Sequence, residues 1–514
     1  LRRRIGACTC SRAISGSAKS FTAERNDAGA PLGRRFALVA LLALVVLAAR
    51  LGTASQARPG GALATIALDF RVVYCGAEAV RTGHDPYRVE PLRSCEHRVG
   101  REPGEPDWAV TPLPLPGYAI ALFVPLSLLS FGVAKALYVV LLVLGFALAA
   151  ACVAAIARMP TLAVAAVFAP TIGFGINLYY GEPVPLAIGA LCAAAYALER
   201  GAPRSAAALA VLASVEPHVA LPAILALALL VPRSRAALVI ALVAGAALSL
   251  LAIGFAANVE YVAVLLPQHG TAELLARDQL GLSRYLALAG MPARAALALG
   301  SASYVAAIAF GIIVGRRAAA ALDRPSLAML FPVAAAMLGG SFIHDVQIAA
   351  ALPAAVLLAP YAWSARIAIA LLVVDWTSWW RGQLLPVATG AAGAAAATFP
   401  PHRARAAFVW FAGATVLSLA LLSGIARVPD RPVGVASVRR QEAAIAPPGA
   451  VGALRPDDSA SRAWALRIAL DPGWDAIGLH DLADKIPLWA GLALLLYGGA
   501  TVRRKPPETR RAAA

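Results

Sequence analysis

Charge is scarce in this chain. Of its 514 residues only 14% are charged and 60% are hydrophobic, with a mean hydropathy of +0.72, which excludes an ordinary soluble globular protein. The motifs of soluble-nucleotide and structural-zinc chemistry are missing too: no P-loop, dinucleotide fingerprint, HExxH or paired CxxC occurs. No internal repeat announces the inverted halves of many transporters. The first 34 residues lack apolar periodicity. Residues 1–35 therefore read as a disordered basic cytoplasmic tail, or as sequence ahead of the true start.

What the chain has instead is apolar length. Stretches near the roughly 20 residues that a spanning helix needs recur at 36–50, 117–130, 136–157, 161–178, 184–198, 205–231, 236–256, 302–315, 327–339, 346–359, 366–376, 383–397, 406–426 and 487–502. The expected fold is an all-α polytopic membrane protein of about 11 to 14 transmembrane helices. The stretch at 36–50 lacks a convincing cleavage site and reads as a retained anchor rather than a signal peptide.

A net charge of +17 could suggest nucleic acid, but the arginines sit in short loops between apolar stretches instead of forming one basic face. That pattern sets membrane orientation. Arg34-Arg35, Arg233 to Arg235, Arg316-Arg317, Arg403 to Arg405 and Arg503 to Lys505 then mark the cytoplasmic side, with both termini inside. A core over 36–426 would carry external loops at 51–116 and 257–301, followed by an external region at 427–486 and a last helix and basic tail at 487–514. Between residues 117 and 231 two paths stay open, depending on whether the basic loop at 199–204 lies inside or outside.

The first external loop is informative. Phe70, Val73, Tyr74, Ala77 and Val80 recur at spacings of 3 and 4, predicting an amphipathic helix along the membrane interface that Gly83 to Pro86 ends. Cys75 and Cys95 lie in the same loop, where a disulfide and two free thiols are both open.

Few ionisable groups remain for chemistry. Asp69 opens the predicted interfacial helix, where a partly desolvated carboxylate suits a general base; an N-cap is the structural alternative. His344 and Asp345 follow a Gly-Gly-Ser break on the same expected face. Arg71, Arg81, Arg88, Arg93, His269, Arg277 and Arg284 offer external cations for a phosphate, with Arg284 the preferred one. Glu182 and Glu216 interrupt apolar sequence, either as functional acids or as helix-end residues at the water interface. Trp376, Trp379 and Trp380 read as an aromatic belt.

The run Asp69-Phe70, Tyr74, Ala77, Gly83, Asp85-Pro86-Tyr87 resembles the first-loop signature of glycosyltransferase family 87, in the GT-C superfamily. "PLPLPGYAIALFVPLSLL", Gly181, "SVEPH" and "SFIHDVQIAAALP" follow in family order. Two positions depart from it: Glu182 replaces the commoner Gln, and Glu216 stands where a basic residue is more usual. The resemblance implies a GT-C-like bundle with short interfacial helices in the first external loop, Asp69 as general base, and His344 as the histidine that approaches it. It implies transfer of a hexosyl or pentosyl group from a polyprenyl-phosphate donor to a cell-envelope glycolipid or glycan acceptor. Substrate contacts would involve Tyr74, Asp85, Tyr87, Glu182, Arg284 and Asp345, with no metal or other cofactor. The expected setting is a bacterial inner membrane, with the active site on its external face. A transporter or flippase of lipid-linked sugars is the competing reading, although it should carry ionisable residues mid-membrane on several helices.

Overall fold

The computed structural model describes residues 31–55, 66–100, 105–168, 175–276, 278–373, 445–470 and 479–503. Among the described residues there is no strand. The helices, in chain order, are α1 (Leu32–Ser55), α2 (Phe70–Arg81), α3 (Val89–Val99), α4 (Gly117–Phe123), α5 (Phe131–Ala157), α6 (Thr161–Phe168), α7 (Gly175–Tyr180), α8 (Val184–Glu199), α9 (Pro203–Leu212) and α10 (Pro217–Leu230). They continue as α11 (Arg235–Glu260), α12 (Leu266–Ala272), α13 (Leu282–Leu288), α14 (Ala293–Leu322), α15 (Leu327–Ala336), α16 (Leu352–Leu358), α17 (Trp363–Val373), α18 (Ala460–Leu470) and α19 (Leu479–Thr501).

Among the described residues three helical stretches are long and apolar enough to cross a membrane: α5, the continuous run Pro232–Ala272 and α14. Their surroundings differ. Helix α5 is mostly buried, and Gly189 of α8 comes so close that a Cβ there would lie 2.6 Å from the Gly145 carbonyl oxygen. Such contact between small residues is how apolar helices associate where burial alone gives no drive. By contrast, α11 and α14 turn apolar side chains outward, with Leu251 85%, Phe255 75% and Ile313 67% exposed. A surface of that kind is stable against lipid and not against water.

Other apolar stretches are broken within their expected spans. The stretch at 205–231 divides at Glu216, whose extended backbone (φ −122°, ψ 91°) precedes Pro217 at the first turn of α10. A 3-10 segment at Asp345–Ala351 precedes α16, so the expected helix at 346–359 starts tightly wound. The stretches at 383–397 and 406–426, the tryptophans at 376, 379 and 380, Arg277 and the arginines at 403–405 lie outside the described residues.

Helix α2 spans Phe70–Arg81 and stops before Gly83, whose φ is +76°. Much of its surface is covered by protein. Phe70 to Ala77 are all buried, covered by α3, α4, α5 and the 3-10 turn Val124–Leu128. A disulfide joins its Cys75 to Cys95 of α3. Arg71, which should have faced water, is 5% exposed because it makes a two-pronged pair with the buried Glu105, at 2.7 and 2.9 Å.

The far end of the chain returns to this loop. Ala460 N donates to the Tyr87 carbonyl at 2.8 Å and Val89 N to that of Asp458 at 2.9 Å, a short antiparallel bridge between Arg88 and Ser459. Helix α18 is thereby docked on the first loop.

Candidate active site

A cavity of about 1570 Å³ lies where the first loop, the loops around α7 and α12, the turn after α15 and α18 converge. Asp69, Glu182, His344 and Asp345 all line it. Asp69 is presented by backbone pairing: Ala67 N donates to Leu178 O at 2.8 Å, and Asp69 N to Tyr180 O at 2.7 Å. Gly181 makes that approach possible. Its φ is +84° and an added Cβ would lie 2.7 Å from Ala67 Cα, while its carbonyl accepts from Tyr138 Oη at 2.7 Å. Asp69 immediately precedes α2 but makes no capping bond to it, so helix capping does not account for the carboxylate.

Several acids share the cavity. Burial, with the charges of Asp69 and Glu216 next in size, pushes the Glu182 carboxyl up to about 8. Glu182 therefore holds a proton where an ordinary carboxyl would not. Glu216, at the break before α10, accepts from Gln347 Nε2 at 2.9 Å and lies 3.5 Å from His218 Nδ1. The same Gln347 accepts through Oε1 from His344 N at 3.2 Å. One amide thus ties the α10 break to the histidine turn.

His344 sits among partners that sequence reading did not assign. Its Nε2 is 3.2 Å from Glu273 Oε2, and its Nδ1 is 3.6 Å from Asp278 Oδ2. Burial opposes its charge, but Asp278, the Glu273 hydrogen bond and charge, and Glu182 outweigh that effect and push the imidazole up to about 10. Against its own burial, Glu273 is pulled down to about 2 by His269, by His344 and by the indole of Trp464. Both shifts favour the imidazolium and carboxylate forms of the pair. Gln279 Nε2 also lies 2.8 Å from His344 Nε2, its orientation fixed because Oε1 accepts from Ile343 N at 3.1 Å. A bare Nε2 would accept from that amide; a protonated one donates to Glu273 but sets its N–H against the amide N–H, so Gln279 opposes the charge that the carboxylates favour.

Arg284 is fully buried, directs Nε toward Leu275 O at 3.4 Å and does not line the cavity. Arg294, at the start of α14, does line it. Tyr74 Oη donates to Leu129 O at 2.9 Å, its ring packed on Phe131. Asp85 accepts from Tyr87 N at 2.9 Å and pairs with Arg88 at 3.1 Å. Tyr87 is buried, donates to Leu115 O at 2.8 Å and stacks on Tyr261. These three hold the first loop together and lie off the cavity wall. Among the described residues no group of three His, Cys, Asp or Glu side chains is arranged to hold a metal ion.

The signal for Glu273, Asp278 and Gln279 is present in "ELLARDQL", a polar cluster in the loop after α12, although its acids gain meaning only once His344 is placed beside them. Trp464 had no such signal, since its partner Glu273 lies 191 residues away. One side of the cavity reaches lipid-facing sequence: Val262 and Leu266 line it while 64% and 36% exposed. Leu297 and Ala298 of α14 face the same space.

Residues 116–342 match the sequence model of glycosyltransferase family 87. No curated protein and no solved structure matches the chain. The matched stretch holds Glu182, Glu216, Glu273 and Arg294, begins after Asp69 and stops two residues before His344. An acid-rich cavity with a charged histidine, bounded by lipid-facing helices, agrees with that match. Residues 116–342 form a glycosyltransferase family 87 domain, and the chain is a membrane glycosyltransferase.

Proposed function

We propose that the cavity transfers a hexosyl or pentosyl group from a polyprenyl-phosphate donor to a hydroxyl of a cell-envelope glycolipid or glycan, with inversion. The observation that carries the reading is that Asp69 and His344, which lie on either side of the matched stretch in sequence, face one cavity. Asp69 takes the acceptor hydroxyl proton as that oxygen attacks the anomeric carbon. The bond from anomeric carbon to phosphate oxygen breaks, and its electron pair leaves with the polyprenyl phosphate. The departing phosphate is already anionic, so it needs cations rather than a proton donor. The His344 imidazolium and Arg294 supply them, with Asp345 and Glu182 bounding the sugar.

Lipid access supports the donor class. Val262 and Leu266 on one side and Leu297 and Ala298 on the other bound an apolar route from the lipid-facing helices. The Cys75–Cys95 disulfide supports an oxidising, external compartment for the loop that carries Asp69. Basic loops such as Arg233 to Arg235 and Arg316-Arg317 fit the opposite, cytoplasmic side of a bacterial inner membrane.

The test is incubation of the purified protein with polyprenyl-phosphate mannose, arabinose or glucose and a glycolipid acceptor, followed by product analysis. Asp69→Asn is expected to abolish transfer while the protein still inserts and melts as wild type does. Turnover retained in that variant would sink Asp69 as the base. Movement of intact lipid-linked sugar across a vesicle, without transfer, would favour a flippase instead.

A further inference from the structure

Helix α18 lies beyond the family match and beyond every motif of the resemblance, yet it lines the cavity. Trp464 Nε1 donates to Glu273 Oε1 at 2.7 Å. The other oxygen of that carboxylate faces His344 Nε2 at 3.2 Å, and His269 Nε2 stands 3.5 Å from Oε1. A carboxylate between two histidines could turn toward either of them. The indole, a donor only, fixes which oxygen remains for His344.

The same helix also reaches the Asp69 side. The Arg467 guanidinium lies over the Trp464 ring, 5.1 Å from its centroid, and pairs with Glu105 Oε1 at 2.6 Å. Glu105 has no exposed side-chain surface and makes the two-pronged pair with Arg71, two residues after Asp69 on α2. His344, Glu273, Trp464, Arg467, Glu105 and Arg71 thus form one run of polar contacts across the cavity. Its middle is supplied by α18.

We infer that Trp464 is a positioning residue for the His344–Glu273 pair, and that α18 braces the base side of the site against the phosphate side. The inference rests on the role proposed for His344. Groups facing His344 are Glu273 and Asp278 from the loop after α12 and Glu182 from the loop before α8; His269 of α12 and Trp464 of α18 face Glu273. With Trp464→Phe the ring volume is largely kept and the donor is lost. Glu273 then holds the imidazolium less firmly, and His344 gives up its proton at lower pH.

The experiment uses the full chain in proteoliposomes, with whichever polyprenyl-phosphate sugar gives turnover. Trp464→Phe is expected to lower kcat about tenfold, a change of roughly 1.4 kcal/mol in barrier, with donor KM within about twofold of wild type. A second readout needs no turnover. Near pH 8, an ordinary histidine with a pKa of about 6.5 reacts with diethyl pyrocarbonate, because only the neutral ring does. Peptide mapping should find His344 protected in the wild type and modified several-fold faster in Trp464→Phe. Wild-type kcat together with unchanged His344 protection overturns the inference, as does a loss of thermal stability alone. Should Trp464→Phe fail to insert, Arg467→Gln keeps the indole and breaks the Glu105 link; it should lower kcat in the same direction, and unaltered kcat overturns the bracing role. His344→Gln separates the two readings. Full turnover in that variant removes the proposed leaving-group role itself, whereas lost turnover there with a silent Trp464→Phe removes only the positioning role.

Discussion

The stretch from 116 to 342 and the segments on either side of it contribute different things to one cavity. The matched stretch supplies Glu182, Glu216, Glu273 and Asp278 together with the lipid-facing wall of α11, α12 and α14. The flanking segments supply Asp69, His344 and Trp464, each held in place by contacts made back onto the matched stretch. The matched stretch is thus a charged, lipid-accessible housing that also contributes Arg294 toward the departing phosphate, while the base and the histidine assigned to leaving-group departure are carried in from outside it. Asp69→Asn tests that division most severely. Loss of a general base typically removes ~10²–10⁴-fold of rate, and no single substitution in the housing should approach that loss. A housing variant with an equal loss at unchanged stability would break the comparison.

Arg294 and Arg284 sharpen it at the next level. Both belong to the matched stretch and are ten residues apart, but only Arg294 faces the cavity. Arg294→Gln is expected to raise donor KM about tenfold, equivalent to roughly 1.4 kcal/mol of phosphate binding, with a smaller effect on kcat. Titration of initial rates against donor concentration checks this. An unchanged KM would leave the imidazolium as the cation for the phosphate and remove Arg294 from the site.

Glu182 is a housing residue whose charge depends on pH near neutrality. Its carboxyl is raised from an ordinary 4.5 to about 8, so the folded protein keeps a proton there that the unfolded chain releases. Below 4.5 both states are protonated and nothing is lost; as pH rises from 4.5 toward 8 the unfolded state gains relative to the native one, and above about 8 the penalty is constant. Glu182→Gln removes the titration. Its melting temperature should therefore exceed that of wild type by a margin that widens between pH 5 and about 8 and then levels off. A margin independent of pH would show that Glu182 is ionised throughout.

How far these features could be read beforehand follows from the range of the interactions that make them. Helix α2 was legible because the apolar period and Gly83 are local, and it runs Phe70–Arg81 as that period requires. Its burial on all sides was not, because Arg71 looks like a water-facing residue until Glu105 is placed against it. Asp69 and His344 stood out by sequence context, yet Asp69 is brought over Glu182 by a backbone approach that only Gly181 permits. Glu273 and Trp464 went unread since neither means much without the other. Arg284 stands out in the sequence as a loop cation while Arg294 draws no notice, because composition does not reveal which of two nearby arginines faces a cavity.

The smallest expected effect concerns the flank that does not touch the cavity. Tyr87 belongs to the same resemblance-bearing run as Asp69, but its hydroxyl donates to Leu115 O at 2.8 Å and its ring stacks on Tyr261. Tyr87→Phe keeps the stack and deletes one buried hydrogen bond, leaving the Leu115 carbonyl short of that donor. Such a loss costs about 0.5–1.5 kcal/mol of stability. Kinetics should then be unaltered, because the loop is held independently by the Cys75–Cys95 disulfide and by the backbone bonds from Val89 and Ala460. A lowered melting point with wild-type kcat and KM would place Tyr87 in the scaffold of the first loop. A raised donor KM would instead show that the cavity extends along that loop in the substrate-bound state, and the boundary drawn between housing and flank would move with it.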